Sequence, residues 1–137
     1  MSSLPNLVPV EVVAYEPGVC NIGPAEIGRR RETGHVGVVL SVALLAALLI
    51  IGAPHWTRLV LVLSAGVSAS GYLQARLHFC AGFGSTGVFN FGALGDVERV
   101  ADPASRARDR RKSLEIELAA LAIGLVVGVS AALLPIA

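Results

Sequence analysis

LVLVLSAGVSASGYLQARLHF, residues 59–79, is uncharged until Arg76 and turns polar only at its far end, at Gln74, Arg76 and His78. A run of this length matches the roughly 20 apolar residues that a helix needs to cross the hydrocarbon core of a bilayer. One of its faces is small: Ser64, Ala65, Ser68, Ala69, Gly71 and Ala75. Small residues let helix backbones approach closely where lipid tails are as apolar as the protein, so this stretch reads as the middle of three spans with the others packed on that face.

Composition supports lipid as the solvent. Of 137 residues 54% are hydrophobic and 15% charged, against about a quarter charged in soluble domains. Mean hydropathy is +0.69. Aromatics are only 5%, so the apolar mass is Ala, Val, Leu and Gly, which suits thin helices in close contact. A net charge of +1 gives no reason to expect nucleic acid as a partner.

Upstream, residues 36–53 are uncharged and form a first span, ending at Gly52-Ala53-Pro54 with Trp56 at headgroup level. Asn21 or Gly23 caps a helix with Pro24 in its first position and Glu26 in its first turn. The short link to residue 59 permits only an antiparallel return, so the first two spans form a hairpin. Downstream, CAGFGSTGVFNFG is dense in glycine and phenylalanine and reads as an interfacial loop. Asp102-Pro103 then opens a helix that carries the basic run SRARDRRK into a third span at residues 118–137. The expected fold is all-α, an integral membrane protein of three transmembrane helices: an arm at residues 1–19, a hairpin with interfacial ends at 20–95, a charged linker or helix at 96–113, and the third helix at 114–137. The arm holds a Val-rich piece, an extended segment or short strand, and Glu11 and Glu16 interrupt it, so no cleavable signal is expected.

Arg29, Arg30, Arg31, Arg76, Arg99, Arg106, Arg108, Arg110, Arg111 and Lys112 fall on one side of this arrangement, and only Arg58 on the other. The asymmetry places the N-terminus and the 79–113 loop in the cytoplasm and the C-terminus outside a cell membrane.

Four patterns bear on function. In the third helix Ala120, Gly124, Gly128 and Ala132 recur every four residues, a small-residue stripe that packs inside the chain or against another subunit. GFGSTG at residues 82–87 matches the glycine fingerprint of dinucleotide sites, but it follows a membrane helix rather than a strand, and that function is rejected. Cys20 and His35 flank the entry of the first helix, and His78 and Cys80 the exit of the second. On one membrane surface these four would suit zinc or another thiophilic metal, or the thiols would exchange disulfide or carry a persulfide; the plainer expectation is no cofactor. Glu26 and Arg30 are four apart in the favourable order, and Gln74 and Arg76 reach the same layer, forming an ion-pair clamp or a small-anion site.

Asn21, Gly23, Glu26, Arg30 and Gly34, then an apolar helix, a Pro/Trp link, a small-residue helix and Phe79-Cys80-Ala81-Gly82-Phe83-Gly84, together resemble the small two-helix inner-membrane domain often fused to rhodanese modules. The resemblance covers residues 20–84. It implies a membrane hairpin with a sulfur-linked role through Cys80. Ile27 stands where that family has a further arginine, a third helix is added, and these 137 residues hold no rhodanese module.

Two functional classes follow. The first is a non-enzymatic membrane protein packing with itself or with subunits of a larger complex; the second is a thiol or metal protein using the Cys/His set. No charge lies within residues 36–53 or 118–137, so these helices carry no relay for protons or ions.

Overall fold

The computed structural model describes residues 14–135. The chain is mostly helical. Helix α1 (Pro24–Ile50) starts with proline at its first position behind Gly23, as the sequence predicts. A 3-10 segment (His55–Val60) leads directly into α2 (Leu61–Leu77), which stops at His78 in the left-handed conformation, φ 54°. A short α3 (Ala81–Thr86) follows, then the antiparallel pair β1 (Val88–Phe89) and β2 (Glu98–Arg99), with Val88 opposite Arg99. Helix α4 (Pro103–Leu133) is continuous through the basic run, and the Asp102 carboxylate caps it by accepting from the Ala104 and Ser105 amides. The hydrogen bond from the Ser105 hydroxyl holds this exposed carboxyl below its ordinary range.

Helix α2 packs between α1 and α4. Both contacts bring helix backbones close together, with the Tyr72 ring also seated on Gly34. A Cβ added at Gly71 would lie 2.6 Å from the Gly34 amide nitrogen, and one at Gly124 would lie 2.5 Å from the Val62 carbonyl oxygen. No other residue fits at such separations without moving a helix. Hydroxyls tie the first pair together: Ser68 donates to the Gly34 carbonyl at 2.7 Å and Ser41 to Ser64 at 2.8 Å. Along α4 the buried face runs through Asp109, Ser113, Ile116, Ala120, Gly124, Gly128 and Ala131. Ala132, the expected last member of the stripe, is only half-buried. Four-residue steps drift about 40° per step around a helix, and a three-residue step to Ala131 brings the face back to α2.

Arg58, alone on its side of the hairpin, is 3% exposed, and its Nη1 donates to the carbonyls of Ala131 and Leu134 at 3.2 and 3.0 Å. A guanidinium at a helix C-terminus satisfies carbonyls that lack intrahelical partners and complements the helix dipole. It fixes the end of α4 beside the turn between α1 and α2.

Among the described residues two helices, α1 and α4, are long and apolar enough to cross a membrane. Only 11% of the apolar window of α1 is buried, and Val36, Val39, Val42, Leu63 and Val126 all face outward, a distribution compatible with a membrane protein. At 17 residues α2 is about 25 Å long, shorter than the expected span because its entry is wound as 3-10 helix.

The stretch expected as an interfacial glycine and phenylalanine loop is instead a folded cap. Phe79 is fully buried, Phe89 stacks on Tyr15 with centroids 4.7 Å apart, and Ile22 bridges Asn90 in a parallel pairing. The Val-rich segment of the arm and the last two residues of the third span lie outside the described residues.

Gly124→Leu is expected to cost at least about 2 kcal/mol by overpacking against the α2 backbone, while Val126→Leu, 67% exposed, stays within about 0.5 kcal/mol. Thermal unfolding in detergent measures both. Equal losses at the two positions would mean that the α2–α4 contact is not the one described.

Candidate functional site

The largest fully buried side chains are Phe79, Ile22, Glu26, Asn21, Asn90, Asp109 and Cys80, and all lie in the cap rather than among the long apolar segments. Four of them are polar or charged, and each needs partners to be buried without penalty. Asn21 supplies most of the connections. Its side chain grips the backbone of one residue on both sides: Cys80 N donates to Oδ1 at 2.6 Å, and Nδ2 donates to the Cys80 carbonyl at 3.1 Å. Its own amide donates to the His78 carbonyl at 3.1 Å, and its carbonyl accepts from Asn90 N at 2.9 Å. Gln74 completes the turn, with Oε1 accepting from Ala81 N at 2.9 Å. The entry of α1 and the exit of α2 are thus joined, as the hairpin predicts.

This frame aims the Cys80 sulfur at Arg30. Arg30 Nη2 donates to Sγ at 2.9 Å, and Phe83 N donates to it at 3.4 Å. The guanidinium carbon sits 5.8 Å from the centroid of the Phe83 ring. Glu26, one turn earlier on α1 and 1% exposed, places Oε2 3.8 Å from the same Nη2. Its other oxygen accepts from Asn90 Nδ2 at 3.3 Å. Glu26 Oε2 and Arg30 Nε are buried without a hydrogen-bond partner among the described residues. The carboxylate therefore holds the arginine by charge rather than by a saturating hydrogen bond, which leaves Nη2 free to face sulfur.

The other residues expected at a metal site go elsewhere. The Cys20 thiol donates to the Ala14 carbonyl at 3.2 Å, and burial is the main cause of its pKa lying above the ordinary thiol range. His35 meets the Tyr72 hydroxyl at 2.6 Å. His78 is exposed and serves as the left-handed stop of α2. Among the described residues no group of three or more His, Cys, Asp or Glu side chains is placed to hold a metal ion. Of the proposed anion cluster, Glu26 and Arg30 pair, Gln74 is spent on the α2–α3 turn, and Arg76 is exposed.

Two buried positions of the cap are not evident from sequence patterns. Asn90 locks Glu26 from 64 residues away. Asp109 is fully buried inside the basic run, where its two oxygens accept from the Tyr15 hydroxyl at 2.6 Å and Gly18 N at 2.8 Å. Burial, reinforced by Asp109, raises the Tyr15 pKa. A lone acid among arginines was the available signal for Asp109; Asn90 gave none.

No protein-family model, curated protein or solved structure gives a significant match to this chain.

Asn21→Ala strips partners from the buried N–H and C=O of Cys80, a loss of roughly 2–3 kcal/mol. Pulse alkylation with mass-spectrometric readout is expected to find Cys80 modified more slowly in the native protein than in this variant, and equal rates in the two would contradict the clamp.

Proposed function

We propose that the chain is a three-span membrane protein whose cytoplasmic cap holds Cys80 as a carrier of sulfane sulfur. The single observation that carries this is Arg30 Nη2 standing 2.9 Å from Cys80 Sγ. A persulfide is an anion at neutral pH, and a permanently charged guanidinium N–H is the kind of donor that holds one. Glu26 keeps that guanidinium in place, and Asn21 fixes the backbone that carries the sulfur. The resemblance of residues 20–84 to membrane domains fused to rhodanese modules points to the same chemistry.

In the step itself, the Cys80 thiolate attacks the outer sulfur of a low-molecular-weight persulfide. One S–S bond forms and one breaks, the donor leaves as a thiolate, and there is no net oxidation. The ten-to-one distribution of basic residues supports the orientation, with the cap in the cytoplasm and the C-terminus outside. Helix α2, covered on both sides by α1 and α4, acts as the central span despite its length, because flanking helices and the 3-10 entry make up the difference. Gly124 and Gly128 of the α4 stripe lie against Val62 and Gly66 of α2 in the same chain, which supports packing of that stripe inside the chain.

Full-length protein in nanodiscs, treated with glutathione persulfide, is expected to gain one sulfur atom at Cys80, seen by peptide mass spectrometry. Arg30→Gln is expected to lower that gain about tenfold, the loss of one charge-assisted hydrogen bond. In sealed cells, Thr57→Cys is expected to react with an impermeant maleimide and Ser105→Cys to be silent. No gain at Cys80, or an equal gain in the variant, would reject the sulfur reading, and labelling at position 105 would reject the orientation.

A further inference from the structure

A second polar site lies on the other side of α3, independent of the thiol. Where α3 ends against the first turns of α4, a cavity of about 270 Å³ has Ser85, Thr86, Gly87, Arg106 and Arg110 among its lining residues. Arg106 and Arg110 are four apart, so both project from one face of α4. Among the described residues neither side chain has an ion pair or hydrogen bond, whereas Arg111, on another face, reaches Glu115 at 3.5 Å. No carboxylate lines the cavity. Asp109, between the two arginines in sequence, is turned inward to Tyr15 and Gly18, and Asp102 is occupied by the amides and hydroxyl that it caps.

The cavity is kept open by its own backbone. Gly87 has φ 75°, which disfavours any side chain, and a Cβ there would come within 2.9 Å of Arg106 Cδ. Glycine at position 87 lets the Arg106 side chain lie close against the backbone there. The hydroxyls of Ser85 and Thr86 now donate into α3, to the carbonyls of Ala81 and Gly82, and rotation about one bond re-aims either of them into the cavity.

We infer that this cavity binds a phosphate group, held by the guanidiniums of Arg106 and Arg110 with Ser85 and Thr86 as supplementary donors. Two adjacent guanidiniums with hydroxyls beside them match a tetrahedral anion with several acceptor oxygens. The exposed apolar face of α4 resumes at Leu114, about 6 Å along the axis from Arg110, so the headgroup of a phospholipid reaches the site as readily as a free phosphate does.

The test uses purified full-length protein in a neutral detergent, titrated in separate arms with short-chain phosphatidic acid and with inorganic phosphate, and followed by calorimetry. Saturable binding is expected in at least one arm, with Arg106→Gln or Arg110→Gln weakening it about tenfold. Arg108→Gln, which removes the same charge outside the cavity, is expected to change it less than twofold on the order-of-magnitude scale of a screened surface charge. Binding of the lipid alone identifies a headgroup site, and binding of inorganic phosphate as well identifies a site for free phosphate. Unchanged melting temperatures establish that the variants are folded. Absence of saturable binding in both arms, or equal weakening by Arg108→Gln and Arg106→Gln, would overturn the proposal.

Discussion

The grip of the Asn21 side chain on the backbone N–H and C=O of Cys80 is the constraint on which the rest depends. A primary amide holds an acceptor oxygen and an NH2 donor group in fixed geometry, and here both are used on the backbone of a single residue beyond the second helix of the hairpin. In a buried setting such a pair is costly to break, because each backbone group released has no water to turn to. Four consequences follow from it: the α1–α2 hairpin is closed, α3 starts where it does, β1 is placed beside residue 22, and the Cys80 sulfur is presented to Arg30.

The molecule uses two different ways of cohering. Among the long helices, contact comes from backbones brought together over Gly34, Gly71, Gly124 and Gly128, with serine hydroxyls across the α1–α2 crossing. That pattern fits an apolar solvent, where close dispersion contact and hydrogen bonding replace the hydrophobic effect between helices. In the cap, cohesion comes from large buried side chains and a connected polar network. Arg58 and Asp109 act at opposite ends of α4 as equivalent fasteners, each a charge buried by meeting backbone donors or acceptors from a distant segment.

Much of this was legible in the sequence where the signal is local. Pro24 and Asp102-Pro103 mark helix starts through their own backbone chemistry, and the alternation of small residues in α4 reports its contact face up to the helical drift that exchanges Ala132 for Ala131. The chain reversal also placed residues 20–35 near residues 74–80 correctly. Sequence did not give the direction in which each side chain points. Cys20 turns to Ala14, His35 to Tyr72, and His78 is used for its backbone, so the shared surface did not become a shared ligand set. The partners that matter, Asn90 with Glu26 and Tyr15 with Asp109, are separated by 64 and 94 residues, and no periodic pattern encodes such pairs. The two-residue strands escaped for the same reason: they exist only because the cap brings them together.

Native-state amide hydrogen exchange, resolved by residue in detergent or nanodiscs, tests the central claim most directly. The amides of Cys80 and Asn90 both donate to Asn21. They are expected to exchange as slowly as amides in the middle of α4, and far more slowly than those of Leu94 and Gly95 in the neighbouring exposed turn. Exchange of Cys80 and Asn90 at the rate of that turn would show that the clamp is not closed, and with it the frame for the Cys80 sulfur would be lost.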